Sequence, residues 1–259
     1  MVKRPAEHTT FEDDGAGYLI SVSDMMAGLL FVFMITLMAF VINFQQASAE
    51  FKEINQRYTN AERVRAEMLE RIQQALERHD IHVEIDERHG VLRLTENAIL
   101  FPTGRAWLKE SELMKLSRIG EVLSDILPCY TAGDLPEGID SASCDEDYRG
   151  RLDSVFIEGH TDNVPIRSAQ YDDNWDLSAA RAIFTYHELV DDNPVLAGLT
   201  NQKDQPVFSV SGYGEGRPVR RHEVPTGDSA NRRIDLRFIM TPPNEDNQLV
   251  QKMREAGVK

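Results

Sequence analysis

The stretch VFIEGHTDNVPIRSAQYDDNWDLSAARAIF, Val155–Phe184, reads as a strand, a polar loop and a helix in succession. Val155–Glu158 is short, apolar and β-branched, and Gly159 with His160 closes it. After the loop, Leu177–Val190 has the spacing of a helix with one apolar face. Asp162 therefore stands at the mouth of the loop, where a carboxylate can meet a cation. Arg181, inside the helix, offers a rigid planar donor fork. Together these two residues suit a zwitterion, the acid taking an ammonium and the guanidinium a carboxylate; a plain Asp162–Arg181 salt bridge is the simpler alternative. His160, Asp162 and Ser178 do not make a hydrolase, because no nucleophile elbow or metal-ligand spacing accompanies them. His160 is expected to be a packed, hydrogen-bonded histidine. No catalytic residue, metal ligand or cofactor is expected.

Working outward, Val207–Ser211 and Ile234–Met240 read as further strands, and Gly212–Gly216 as a turn rather than a phosphate loop, since no helix follows. Upstream, Leu108–Leu127 is helical, and Ile81–Asp86 with Gly90–Thr95 forms a hairpin. Strands separated by helices in this order predict an α+β domain over 81–241, a mixed sheet with helices on one face. Residues 128–149 interrupt it as a loop-like insertion with both cysteines, Cys129 and Cys144, and six acids (Asp134, Glu137, Asp140, Asp145, Glu146 and Asp147). Those acids lack the spacing of a calcium loop and read as solvated surface. A Cys129–Cys144 disulfide is expected if the domain lies outside the cytoplasm, and free thiols if it does not.

Before the domain the texture changes twice. Phe44, Ala47, Phe51, Ile54, Tyr58, Ala61, Met68, Ile72 and Ala75 fall on the a and d positions of one heptad register. Residues 44–80 therefore read as a coiled-coil-like stalk, most simply a parallel homodimer. The alternative is a lone amphipathic helix packed on its own domain. Further upstream, MMAGLLFVFMITLMAFVI, Met25–Ile42, is an uncharged run that at ~1.5 Å per residue spans roughly 27 Å, close to the hydrocarbon thickness of a bilayer. Residues 18–43 are the expected transmembrane helix, with Tyr18 an interfacial anchor, and 242–259 are a C-terminal tail. Lys3 and Arg4 favour a cytoplasmic tail over 1–17 and a large domain outside. Asp24 lies inside the apolar stretch. A carboxylate there costs on the order of 2.5–3.5 kcal/mol on insertion scales and marks an ion path or a partner, unless Ser21 or Ser23 caps the helix and leaves Asp24 in its first turn.

The chain of 259 residues carries 43 acids against 28 Lys and Arg, a net charge of −15. Most of the excess falls in the C-terminal portion. Such acidity excludes a generic nucleic-acid coat, which needs a concentrated basic surface.

The strings VFIEGHTDN, NWDLSAARA, VSGYGE and NRRIDLRF, taken together, resemble the OmpA-like peptidoglycan-binding domain, and NWDLSAARA is close to the flagellar stator B subunits of the MotB family. SDMMAGLLFVFMITLMAF is similar to the helix of those subunits that carries the ion-accepting aspartate. The resemblance implies that Asp162 and Arg181 grip the diaminopimelate of the peptide stem, with Asn174 and Leu177 beside them and Arg232 and Arg233 near the glycan. It implies that Asp24 carries a proton, and that a multi-pass MotA- or ZorA-like partner completes the channel in the bacterial inner membrane. Flagellar members usually read A-D-F-M or A-D-L-M, whereas Ser23-Asp24-Met25-Met26 stands here. That departure, the stalk and the cysteine insertion look more like the ZorB family of Zorya anti-phage defence.

Overall fold

The computed structural model describes residues 14–139, 142, 144–191 and 193–241, and side chains within these outside 14–21, 50 and 53–58. Residues 1–13 of the tail read at 1–17, the anchor Tyr18 as a side chain and the segment 242–259 lie outside that description. The chain divides into two compact units, the second beginning at Arg57.

In the first unit, helix α1 (Asp14–Glu77) begins, and its Val22–Ala49 portion is long and apolar enough to cross a membrane. Every large apolar side chain described there is exposed, from Met25 to Phe44. Phe40 and Phe44, four apart, stack with centroids 6.3 Å apart. A helix apolar all round and buried nowhere in its own chain fits a lipid environment rather than a protein core.

The second unit is a five-stranded mixed sheet with helices on one face. β1 (Glu84–Asp86) and β2 (Val91–Leu94) form the expected hairpin. α2 (Glu110–Ile126) follows, then β3 (Leu152–His160), α3 (Asn174–Tyr186), the single turn α4 (Pro194–Ala197), β4 (Phe208–Gly212) and β5 (Arg233–Met240). The strand order is β1-β2-β5-β3-β4, antiparallel except for the parallel pair β3 and β4 that α3 connects. Strand alternation sets the two faces. Val155 and Ile157 on β3, and Ile234, Leu236 and Phe238 on β5, turn to the helices and are fully buried. Glu158, His160, Arg233, Asp235 and Arg237 lie on the other face.

One close approach fixes α3 on the sheet. Gly159 and Gly212 pair across β3 and β4, and a Cβ on Gly159 would stand 2.0 Å from the carbonyl oxygen of Ser178. Only glycine lets the helix backbone come down this far. Asp173 caps α3 by accepting the N–H groups of Trp175 and Asp176 at 2.8 and 3.0 Å.

Residues 57–77 differ from the expected stalk. The compact domain begins at Arg57, not 81, and Val64, Met68, Leu69, Ile72 and Leu76 are buried in one core with Leu92, Leu116, Ile119 and Leu123. The apolar face that the heptad register picks out is, from Val64 on, the face the helix lays on its own domain. Gln73 donates to the carbonyl of Val83, and Arg71 to the hydroxyl of Tyr130 at 3.2 Å. In the insertion, Cys129 and Cys144 are joined by a disulfide with Cα atoms 5.1 Å apart. Its described acids Asp134, Glu137, Asp145, Glu146 and Asp147 are exposed, but Tyr130 is fully buried and stacks on Tyr148. Tyr148 in turn donates to Glu67, which pairs with Arg63. The insertion is thus fastened to α1 rather than free on the surface.

Candidate functional site

The end of β3, the start of α3 and two loops enclose a cleft of about 290 Å³. Asn174, Leu177 and Arg181 line it from one side of α3, spaced i, i+3 and i+7. Asp162 and Arg232 line it from the strand ends.

Arg181 is 3% exposed and held by carbonyls rather than by an acid. Its Nε donates to Arg105 at 2.9 Å and its Nη2 to Pro102 at 3.4 Å, and the guanidinium carbon lies 5.1 Å from the centre of the Phe101 ring. Among the described residues its Nη1 makes no hydrogen bond. Burial, reinforced by the neighbouring Arg232, lowers its pKa to about 10 against the opposing pull of Asp162 and Glu96. The group is still a cation at neutral pH, fixed in direction and short of one partner.

Asp162 pairs instead with Arg232, whose Nη1 donates to Oδ2 at 2.7 Å. The same oxygen accepts from the N–H of Asp228, and Oδ1 from that of Val164. Arg232 also donates to Glu96 at 2.6 Å. Burial works against the arginine's charge, but these two carboxylates outweigh it and raise its pKa. The Asp162–Arg181 salt bridge does not form. Asn174 holds the loop by donating to the carbonyls of Asp162 and Val164. The cleft therefore offers a part-neutralised carboxylate, an arginine with a spare donor, and the apolar flank of Leu177, Val164 and Ile166. A zwitterion with a short aliphatic stem matches those groups.

Arg233 is elsewhere. Adjacent strand residues face opposite ways, so its side chain lies on the far face of the sheet, 6% exposed, with Nε 3.0 Å from both oxygens of Asp235. It joins a closed cluster there. Arg237 donates to both oxygens of Glu158 at 2.8 Å. Burial would raise the Glu158 pKa, yet the two hydrogen bonds and the charge of Arg237 hold it down to about 2. His160 is packed as expected, 1% exposed and stacked on Tyr213. Among the described residues it makes no hydrogen bond: Nε2 lies 3.5 Å from Asp235 and 3.9 Å from Glu158. Burial lowers its pKa and keeps it neutral. Glu158, His160 and Asp235 could in principle surround a metal ion, but arginines already occupy both carboxylates.

Glu96 and the carbonyls of Pro102 and Arg105 are the site groups not read from the sequence. They lie on the loop between β2 and α2, far from the other site residues along the chain, and no motif marks them. Asp24 belongs to the first unit, exposed on the apolar helix. Beside it Gly28 leaves open space where a Cβ would stand.

Residues 146–232 match the OmpA family profile. Over 95 residues the chain is 37% identical to Motility protein B of Bacillus subtilis, an alignment covering 37% of this chain and 33% of that protein. It is 23% identical to Zorya protein ZorB of Escherichia coli over 245 residues, 93% of this chain and 95% of that protein. A solved structure of a MotB-like protein from Desulfovibrio vulgaris aligns with 73% of this chain and 98% of its own, at 18% identity and a TM-score of 0.46. The chain is MotB-like, with an OmpA-like C-terminal domain. It spans about a third of the motility protein and nearly all of ZorB.

Proposed function

We propose that this chain is the single-pass B subunit of a stator-type, ion-driven complex in the bacterial inner membrane, anchored to peptidoglycan by its periplasmic domain. The observation that carries the anchoring role is Arg181: a buried cation, aimed by two carbonyls into an open cleft, with a donor unspent beside the Asp162–Arg232 pair. The diaminopimelate of a peptide stem supplies the matching carboxylate and ammonium. Asp24, on the apolar and exposed Val22–Ala49 portion of α1, loads and releases a proton. One helix cannot enclose a channel, so a multi-pass MotA- or ZorA-like partner and a second copy of this chain complete it. The exposed Phe44, Ala47 and Phe51 belong to the heptad seam left for that second copy. The alignment along nearly the whole of ZorB favours the anti-phage branch over a flagellar stator. No catalytic role is assigned.

Two measurements test this. Asp24→Asn at normal protein levels is expected to abolish ion flux and the phenotype that depends on it; unchanged flux sinks the motor reading and leaves a passive tether from membrane to wall. Arg181→Ala is expected to weaken binding to purified sacculi more than tenfold, since it removes a charge-assisted pair in a desolvated site. Wild-type binding by that variant, correctly folded, removes the anchoring role from this cleft.

A further inference from the structure

A second cleft, of about 280 Å³, opens beside the first. The wall between them is the end of β3 and its extension: Asp162 faces the first cleft, Asn163 the second, and Thr161 lines both. The Thr161 hydroxyl is buried and makes no hydrogen bond with any described group. A buried hydroxyl is rarely left so, and a ligand crossing the wall would satisfy it.

The far rim of this cleft is cationic and rigid. Arg220, Arg221 and His222 sit on a loop pinned from two sides. Asn231, itself 2% exposed, accepts the N–H groups of Val219 and Arg220 at 2.8 and 3.0 Å and donates to the carbonyl of Arg220. Asn163 donates to the carbonyls of His222 and Val224 and accepts the N–H of Thr226. Asp228 engages two of the three: His222 Nε2 lies 2.7 Å from it and Arg220 4.0 Å. Arg221 is exposed and has no acid partner among the described residues. Glu215, across the cleft, is the one acid lining it. Among the described residues no Phe, Tyr or Trp lines this cleft, so it lacks the broad stacking platform that a neutral sugar ring would want. A planar guanidinium fork matches a carboxylate.

We propose that the two clefts form one extended site, in which the second takes a separate carboxylate of the peptide whose zwitterionic side chain fills the first. Arg221 and Arg220 bind that carboxylate, and the Thr161 hydroxyl bonds the peptide as it crosses the wall. This rests on the reading that the first cleft takes an ammonium–carboxylate group, and it adds a specificity: stems whose neighbouring carboxylate is amidated are poorer ligands.

The test uses the full chain in detergent and two synthetic stem peptides, alike except that the carboxylate next to the diamino-dicarboxylic residue is free in one and a primary amide in the other. Titration calorimetry is expected to show the wild type binding the free acid about tenfold more tightly, the worth of one charge-assisted hydrogen bond. The double substitution R220Q/R221Q is expected to bring the free acid down to the level of the amide and leave the amide unchanged, which also reports an intact first cleft. Thr161→Val is expected to weaken both peptides. A wild type that does not discriminate, or a double variant that keeps the tenfold preference, overturns the second cleft while the first stands. A wild type that binds neither peptide overturns the zwitterion reading, and the extension falls with it.

Discussion

Two carboxylate–guanidinium clusters lie within five residues of each other along β3 and its extension. Arg232 and Arg233, consecutive in the chain, serve one each. Around Glu158 and Asp235 the arrangement is closed. Arg237 and Arg233 each meet a carboxylate through paired contacts, and Glu158, His160 and Asp235 are 2% exposed or less. Around Asp162 it is open, with Arg232 shared between two acids and Arg181 held by carbonyls that leave a donor over. The same residue types therefore build a closed cluster on the far face of the sheet and an open one beyond the strand ends. What separates them is whether the cations are used up within the chain.

That contrast can be broken in order of effect. Gly159→Ala, beneath both clusters, drives a Cβ into the Ser178 carbonyl and should cost upward of about 3 kcal/mol, with α3 displaced and the cleft lost with it. A variant with wild-type melting and sacculus binding would show that the helix yields where the geometry says it cannot. Glu158→Gln removes the buried carboxylate that meets the part-buried Arg237, and a loss of about 2 kcal/mol is expected in denaturant titration. Its pH profile sharpens the point. Glu158 is held at about 2 in the fold against 4.5 ordinarily, so its contribution is complete above 4.5 and lost as the pH falls toward 2. His160, kept neutral by burial, adds a loss of the same sign that starts below 6.5. The variant should melt less steeply with falling pH than wild type between 4.5 and 2; parallel curves would remove Glu158 from the acid response. Smallest in stability is Arg232→Gln, at a part-exposed pair worth under about 1 kcal/mol. It should nevertheless reduce sacculus binding several-fold, because Asp162 then loses the cation that orients it. A large melting shift with unchanged binding would make the open cluster a structural one like the closed.

Much of this was legible along the chain, and the failures have physical causes. Asp162 and Arg181 were legible because a strand end and a helical period place them, whereas Asn174 and Leu177 entered the site only through the family resemblance. Arg233 was legible too, had strand parity been applied to Arg232 and Arg233, since neighbours in a strand cannot share a face. Glu96 was not: its approach to Arg232 is set by the pairing of β2 with β5, a long-range contact without a local signature. The heptad register shows the complementary weakness. A 3-4 spacing says which side of α1 is apolar but not what covers it, and from Val64 the cover is the helix's own domain. The insertion's acids read correctly as solvent-facing, while the tyrosines that tie it to α1 gave no pattern to follow.

The burial of Val64–Leu76 has a mechanical consequence. A pull along the axis of residues 64–76 loads several helical turns of interlocked side chains in shear rather than peeling one end. Arg63–Glu67–Tyr148 and Arg71–Tyr130 pass part of that load sideways into a loop closed by a covalent bond. Resistance to shear depends on many contacts failing at once, so the lifetime of the joint under tension is set by its unfolding rate rather than by its equilibrium stability. The joint is a lap splice, in which about a dozen residues of overlap share the tension.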